Sequence, residues 1–392
     1  MNRKVHMIRI EKALTQPVPS DIYTIGAPED VLFFDIETTG LSARSAGLYL
    51  IGVLTYTDKS WTLLQFFCED VADEPAVLQA FFELLRTKKT LISYNGDGFD
   101  IPFLRHMVEQ YGLPYSFDAV ESFDLFKKFR PLKRLLGLPD LKLKSCERFL
   151  GIDREDRFTG GELIEVYFEW QKTKAPALLD TLLLHNAEDI ANLPNLLPLL
   201  RYRALPHSDF QLRAHERLQD GATPLVHLSF TLLPPMSPSA HAPAENDARE
   251  VMDARRQHWP EHALPKPMDL RGDFWALHAE GSTVELYVQL FEGERKLFFA
   301  DFEHYYYLPA EDQVIHQSLA EFVDRSARKK ACARNCYQRV SGCFLPECSE
   351  VYTPALQAEY RDKLRYAQYS DALFDDAAKA VAYLKSFLET AL

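Results

Sequence analysis

The chain has 392 residues and a formal net charge of −13, with 47% hydrophobic and 12% aromatic residues. That content supports a sizeable core and excludes a disordered chain, and the length suits two domains or one large domain with additions. The acidic balance excludes a protein that coats nucleic acid by bulk charge, while leaving room for a local basic groove. The opening MNRKVHMIRIEKAL is too polar for a secretory signal, and no apolar run approaches a membrane span. A soluble cytoplasmic protein with no membrane partner is therefore expected. In that compartment the six cysteines are expected as reduced thiols or metal ligands.

Residues 1–30 read as an N-terminal extension. From Val31, VLFFDIE, LYLIGVLTYT and WTLLQFFC predict three strands, with a Thr-Thr-Gly turn after the first. EPAVLQAFFELLRT then takes a helical period, with Pro75 suited to its first turn. A strand at TLISYN, a helix opening at GDGFD and stopping near Gly112, and a short strand near SFDLF follow. Helices ending in ALLDTLLLHNAEDIANLPNLLPLLRYRA complete a first domain over 31–205. Strands first, then strand and helix in alternation, predict an α/β fold with a mixed sheet flanked by helices. Residues 206–267 read as a helical and proline-rich linker. Residues 268–392 read as a smaller α+β domain, with a hairpin turning at Glu292-Gly293 and helices over SLAEFVDRSARKKACAR and LFDDAAKAVAYLKSFLETA. No repeat of fixed period is present.

Four acids stand out: Asp35 and Glu37 on the first strand, Asp100 at a helix start, and Asp189 on a later helix. Side chains at i and i+2 of a strand share a face, so Asp35 and Glu37 point the same way, and two like charges held together call for a cation. Each acid also has a plainer reading, as a helix cap for Asp100 and as a solvated face for the others. The neighbours of Asp35 are too apolar for an exposed strand. Four converging carboxylates suit two-metal hydrolysis of a phosphodiester, with two Mg²⁺ or Mn²⁺ ions held by oxygen ligands.

DIETTGL, SYNGDGFDIPFL and LLLHNAEDI resemble, in order, the three motifs of the DEDD superfamily of 3′-5′ exonucleases on the ribonuclease-H-like fold. The resemblance extends through DLFKKFRPLKRLLGLPDLKLKSCERFLGI and FTGGELIEVYFEW to about residue 200, where the chain is similar to the YprB-type ribonuclease-H-like exonuclease domains. It implies that Asp35, Glu37, Asp100 and Asp189 bind the metals. It also implies that Thr38, Gly40, Leu41 and Asn95 hold the terminal nucleotide of a single-stranded or 3′-ended nucleic acid. In this superfamily a Tyr or His near the last Asp orients or deprotonates the attacking water. Here the residue is His185, four positions before Asp189, which is the spacing of the Tyr branch. Its imidazole can accept a proton near neutral pH, and its plainer reading is a helix histidine bonded to a carbonyl. Asp97 and Glu188 are expected to turn away from the site.

Lys127, Lys128, Arg130, Lys133, Arg134, Lys142 and Lys144 put seven bases in eighteen positions opposed only by Asp140, with Phe126 and Phe129 interleaved. This reads as a track for a phosphate backbone, with Lys127, Lys128 and Arg130 as its substrate-binding part, or as a solvated helix face. Cys332, Cys336, Cys343 and Cys348 fall within seventeen residues. They allow a zinc or iron-sulfur site, though their spacing lacks the close C-x₂-C pair, and they read equally as core residues and free thiols. The readings set against the exonuclease are an inactive nuclease fold serving as a nucleic-acid-binding scaffold, and a cysteine-cluster interaction module.

Overall fold

The computed structural model describes residues 7–221, 223–233 and 263–391. They form two compact units, one running through Arg203 and the other beginning at Ala204.

The first unit is built on a six-stranded mixed sheet. Its strands are β1 (Met7–Leu14), β2 (Val31–Thr38), β3 (Leu48–Thr57), β4 (Ser60–Cys68), β5 (Thr90–Ser93) and β6 (Glu121–Asp124), in the order β1-β4-β3-β2-β5-β6. The first four pair antiparallel, while β5 runs parallel to β2 and β6 parallel to β5. Part of the expected N-terminal extension thus adds an edge strand.

The two-residue alternation of β2 sorts its side chains. Leu32, Phe34 and Ile36 enter a core with Val77, Leu78 and Phe81 of α1 (Glu74–Leu85) and Phe103 and Leu104 of α2 (Asp100–Tyr111). Asp35 and Glu37 therefore face the other side. There Tyr49, Leu50 and Phe67 pack against Leu163, Tyr167 and Trp170 of α6 (Gly160–Thr173) and Leu182 of α7 (Pro176–Ala191). Between α2 and α6 lie α3 (Leu125–Phe129), α4 (Leu132–Leu135) and α5 (Leu143–Leu150). Gly52, opposite Asp35 in the sheet, allows this approach, because a Cβ there would overlap Asn186 and Ile190 of α7.

The second unit adds β7 (Phe210–Asp220), β8 (Thr223–Leu232), β9 (Leu264–Arg271), β10 (Trp275–Gly281), β11 (Thr283–Gln289), β12 (Phe291–Phe298), β13 (Tyr305–Leu308), β14 (Gln313–His316), β15 (Lys329–Lys330), β16 (Tyr337–Glu347) and β17 (Arg365–Gln368). They form a five-stranded sheet, β7-β8-β11-β10-β9, and two three-stranded sheets, β12-β16-β17 and β14-β13-β15, beside a C-terminal helix, Ala377–Ala391. The helical character expected within 206–267 is corrected here. Phe210–Asp220 and Thr223–Leu232 are β7 and β8, an antiparallel pair whose inner residues Val226, Leu228 and Phe230 are buried at strand period. The proline-rich stretch of that linker lies largely outside the described residues. Its last prolines, Pro265 and Pro267, sit in β9 (Leu264–Arg271) at the sheet edge, where the missing N–H is tolerated.

Glu292 and Gly293 are not a turn. They lie inside β12 (Phe291–Phe298) and pair with Cys343 and Gly342 of β16 (Tyr337–Glu347). The helix expected over SLAEFVDRSARKKACAR is likewise absent. A 3₁₀ turn covers Gln317–Phe322, Asp324 accepts the Ser326 amide at 2.8 Å, and Lys329–Lys330 pairs with β13. A side chain that bonds its own neighbouring backbone competes with helix formation in this way.

Candidate functional site

The polar face of β2 meets α7. Asn186, fully buried, donates from Nδ2 to Asp35 Oδ2 at 3.2 Å and accepts at Oδ1 from Gln65 Nε2 at 3.0 Å, which fixes the amide's orientation. Asp100, at the start of α2, accepts the Ile36 amide at Oδ1 at 3.1 Å, so this acid is tied to the backbone between Asp35 and Glu37. Glu37 Oε2 accepts from the Tyr49 hydroxyl at 3.4 Å. One turn apart on α7, His185 and Asp189 complete the group. His185 Nε2 stands 3.8 Å from Glu37 Oε1 and 3.5 Å from Asp189 Oδ2. Ligand atoms of Glu37, His185 and Asp189 all lie within 4.8 Å of one another.

Two residues absent from the sequence reading organise this side of the site. Asp156 bonds His185 Nδ1 at 2.7 Å and is held by Lys144 Nζ at 2.8 Å and by the Phe158 amide at 3.0 Å. Arg154 bonds Asp189 Oδ1 and pairs with Glu147 at 3.1 Å and Glu188 at 3.4 Å. Glu188 turns toward the loop, accepting the Glu155 and Asp156 amides at 2.9 Å. The signal for this arrangement was the charge-dense IDREDRF loop, but nothing in its spacing says which helix it meets.

The electrostatics are those of crowded anions. Burial raises the Asp35 carboxyl well above its usual range, and the charges of Asp100, Glu37 and Asp189 raise it further against the Asn186 bond. Burial does the same for Glu37, aided by Asp189 and Asp100. Asp100 is pushed up to about 7, chiefly by burial, with hydrogen bonds to its own amide and to Ile36 opposing. Asp156 goes the other way: its burial is outweighed by Lys144 and His185, which hold it below the ordinary value. Among the described residues, Arg154 on Asp189 is the one permanently charged cation paired with the four acids. Oxygen donors crowded, desolvated and short of positive charge fit hard divalent cations.

The other predicted residues are placed as follows. Thr38 Oγ1 donates to the Gly40 carbonyl at 2.8 Å, forming the turn after β2, and Leu41 is 88% exposed. Asn95 adopts a left-handed conformation with φ of 67°, and its amide is taken by Asp124 Oδ1 at 3.0 Å. The basic stretch is partly neutralised. Lys127 pairs with Asp97 at 2.6 Å, Lys144 serves Asp156, and Lys128 sits 4.7 Å over the Phe123 ring. Arg130 caps α3 through its amide, bonded to the Phe126 carbonyl at 3.0 Å, and its guanidinium makes no ion pair among the described residues. The four cysteines do not form a metal-holding group among the described residues. Cys336 is buried, Cys332 is exposed in the turn just before it, and Cys343 is committed to a register position in β16.

A family model described as RNase_H superfamily matches residues 32–201. That span forms a ribonuclease-H-like domain, with the mixed sheet flanked by helices. No curated protein matches the sequence. Among solved structures, the chain is similar to the family B DNA polymerase from the hyperthermophilic archaeon Pyrobaculum calidifontis, at 18% identity and a TM-score of 0.36 over 46% of this chain and 25% of that one. It spans only that quarter of the polymerase. It is also similar to the apo form of a nuclease, at 19% identity and a TM-score of 0.30, over 46% and 75% of the two chains. A third likeness is to the zinc-bound E. coli ExoI-ssDNA complex, at 14% identity and a TM-score of 0.26, over 51% and 54%. Among the described residues no helix is long and apolar enough to cross a membrane.

Proposed function

We propose that the first unit is a metal-dependent 3′-5′ exonuclease that hydrolyses phosphodiester bonds of DNA or RNA, acting in the cytoplasm. The observation that carries this reading is that Glu37, His185 and Asp189 bring ligand atoms within 4.8 Å of one another on the β2 face that also bears Asp35, with Asp100 bonded to the Ile36 amide between the two β2 acids. Such a set would hold two divalent cations, which would lower the pKa of a bound water and stabilise charge on the oxygens attacked and expelled.

The chain's own residues supply positioning. Asn186 and the Ile36 amide aim Asp35 and Asp100, Arg154 aims Asp189, and Asp156 aims His185. His185 is the imidazole of the site and acts through Nε2. The turn at Thr38–Leu41 offers backbone close to the acids and the exposed Leu41 as an apolar rest for a base or ribose. Lys128 and Arg130 would meet the phosphate backbone, with Lys127 held by Asp97. The 3′-to-5′ direction rests on the likeness of DIETTGL, SYNGDGFDIPFL and LLLHNAEDI to the DEDD motifs.

The test uses 5′-labelled single-stranded and duplex DNA and RNA with Mn²⁺ or EDTA, comparing wild type with Asp35→Ala. A stepwise ladder that needs the metal and disappears in the variant is expected. Equal ladders from the two proteins, or cuts at internal positions only, would overturn the assignment.

A further inference from the structure

Three ligand-type atoms at the site share a feature that their residue names do not reveal. Glu37 has Oε2 tied to Tyr49, Asp189 has Oδ1 tied to Arg154, and His185 has Nδ1 tied to Asp156. The opposite atom of each, Oε1, Oδ2 and Nε2, faces the same small space, with Nε2 at 3.8 Å and 3.5 Å from the two oxygens.

We propose that His185 is itself a metal ligand, forming with Glu37 and Asp189 a mixed nitrogen–oxygen position that takes a transition-metal ion such as Mn²⁺ in preference to Mg²⁺. This rests on the reading of the site as a metal centre.

The spacing agrees with such a position. Ligand atoms about 2.1 Å from an ion at tetrahedral angles lie about 3.4 Å apart, and octahedral neighbours about 3.0 Å apart. The two separations to Nε2, 3.8 Å and 3.5 Å, lie within about 0.4 Å of the tetrahedral spacing and within about 0.8 Å of the octahedral one. The outer partner is the second argument. A histidine that ligates a metal characteristically gives its other ring N–H to a carboxylate, which fixes the tautomer and raises the basicity of the ligating nitrogen. Asp156 stands in that place, side chain 1% exposed, and is itself fixed by Lys144 and the Phe158 amide.

Selectivity follows from donor chemistry. Imidazole suits transition metals, whereas Mg²⁺ favours oxygen and keeps its waters. The nitrogens beside the other two acids are amide donors, which do not ligate a metal. Asp35 and Asp100, each with one oxygen tied by Asn186 or the Ile36 amide, form the oxygen-only side of the site, open to either ion.

The experiment is pulsed electron paramagnetic resonance on the full chain loaded with Mn²⁺, without nucleic acid, together with Mn²⁺ and Mg²⁺ titrations. Expected among the bound Mn²⁺ is one ion with ¹⁴N modulation from a directly bonded imidazole, replaced by the ¹⁵N pattern when the protein is grown on ¹⁵N-histidine. The modulation is lost in His185→Ala and in His185→Gln. Asp156→Asn is expected to weaken Mn²⁺ about 10- to 100-fold and to change Mg²⁺ binding far less.

Mn²⁺ bound to wild type without nitrogen modulation would overturn the inference, as would modulation that persists in a folded His185 variant. The labelling arm needs no variant and so does not depend on one folding. Cleavage assays on the same preparation separate the two readings: nitrogen coupling without cleavage would remove the nuclease and leave the metal ligand standing.

Discussion

Replacing Asp100 with Asn should make the metal-free protein more stable at alkaline pH while weakening cation binding on the Asp35 and Asp100 side of the site. Asp100 is 5% exposed and its carboxyl is raised from 3.8 to about 7. A carboxyl raised by folding binds more protons in the folded state than in the unfolded one. Its contribution is therefore fully present below the unfolded value and is lost as pH rises through the folded one. The interval corresponds to about 4 kcal/mol, of which about 3 kcal/mol falls between pH 5 and 8.

The Asp100→Asn side chain keeps an oxygen for the Ile36 amide but cannot ionise, so this loss should vanish. The assay is hydrogen exchange of the β2 amides in EDTA, which reports the first unit alone. Wild type should lose protection from pH 5 to pH 8, after correction for intrinsic exchange, and the variant should lose about 3 kcal/mol less. Adding Mn²⁺ at about 100 times the wild-type dissociation constant should restore about 3 kcal/mol to wild type and less to the variant, which keeps only the Glu37, His185 and Asp189 position. An Asp100→Asn protein whose stability falls with pH as steeply as wild type would refute the reasoning.

Arg154→Met leaves Glu147 and Asp189 without their buried cation and should destabilise the first unit by about 3–5 kcal/mol, read by the same exchange experiment; the pair's side chains are 7% and 1% exposed for Arg154 and Glu147. Gly52→Ala should push α7 from the sheet, costing about 1–3 kcal/mol and nearly all cleavage, because the displaced helix carries His185 and Asp189. Melting curves and ladder assays check the two effects. In alkylation timed by mass spectrometry, exposed Cys332 should react first and Cys336 last among the four cysteines of the second unit, since burial pushes the Cys336 thiol up to about 11. A chelator should leave that order unchanged.

Much of the first unit was readable because its signals are local. The apolar run of β2, the period of α1, and the stop at Gly112, which adopts a φ of 61° at the end of α2, each follow from a few neighbouring residues. The alternation that puts Asp35 and Glu37 on one face is equally local. What sequence could not supply were partners brought from afar. Asp156 reaches His185 across 29 positions, Gln65 reaches Asn186 across 121, and Asn186 reaches Asp35 across 151. The second unit was read less well for a related reason. Strand pairing overrode a turn-like Glu-Gly in β12, and an Asp324 side-chain turn replaced a helix in a lysine- and arginine-rich stretch.

The most direct measurement of the central claim is an anomalous difference map from crystals of the full chain soaked in Mn²⁺. Two peaks are predicted, one between Glu37, His185 and Asp189 and one beside Asp35 and Asp100, both absent from an Asp35→Ala, Asp189→Ala double variant. A map with no peak at these carboxylates at saturating Mn²⁺ would contradict it.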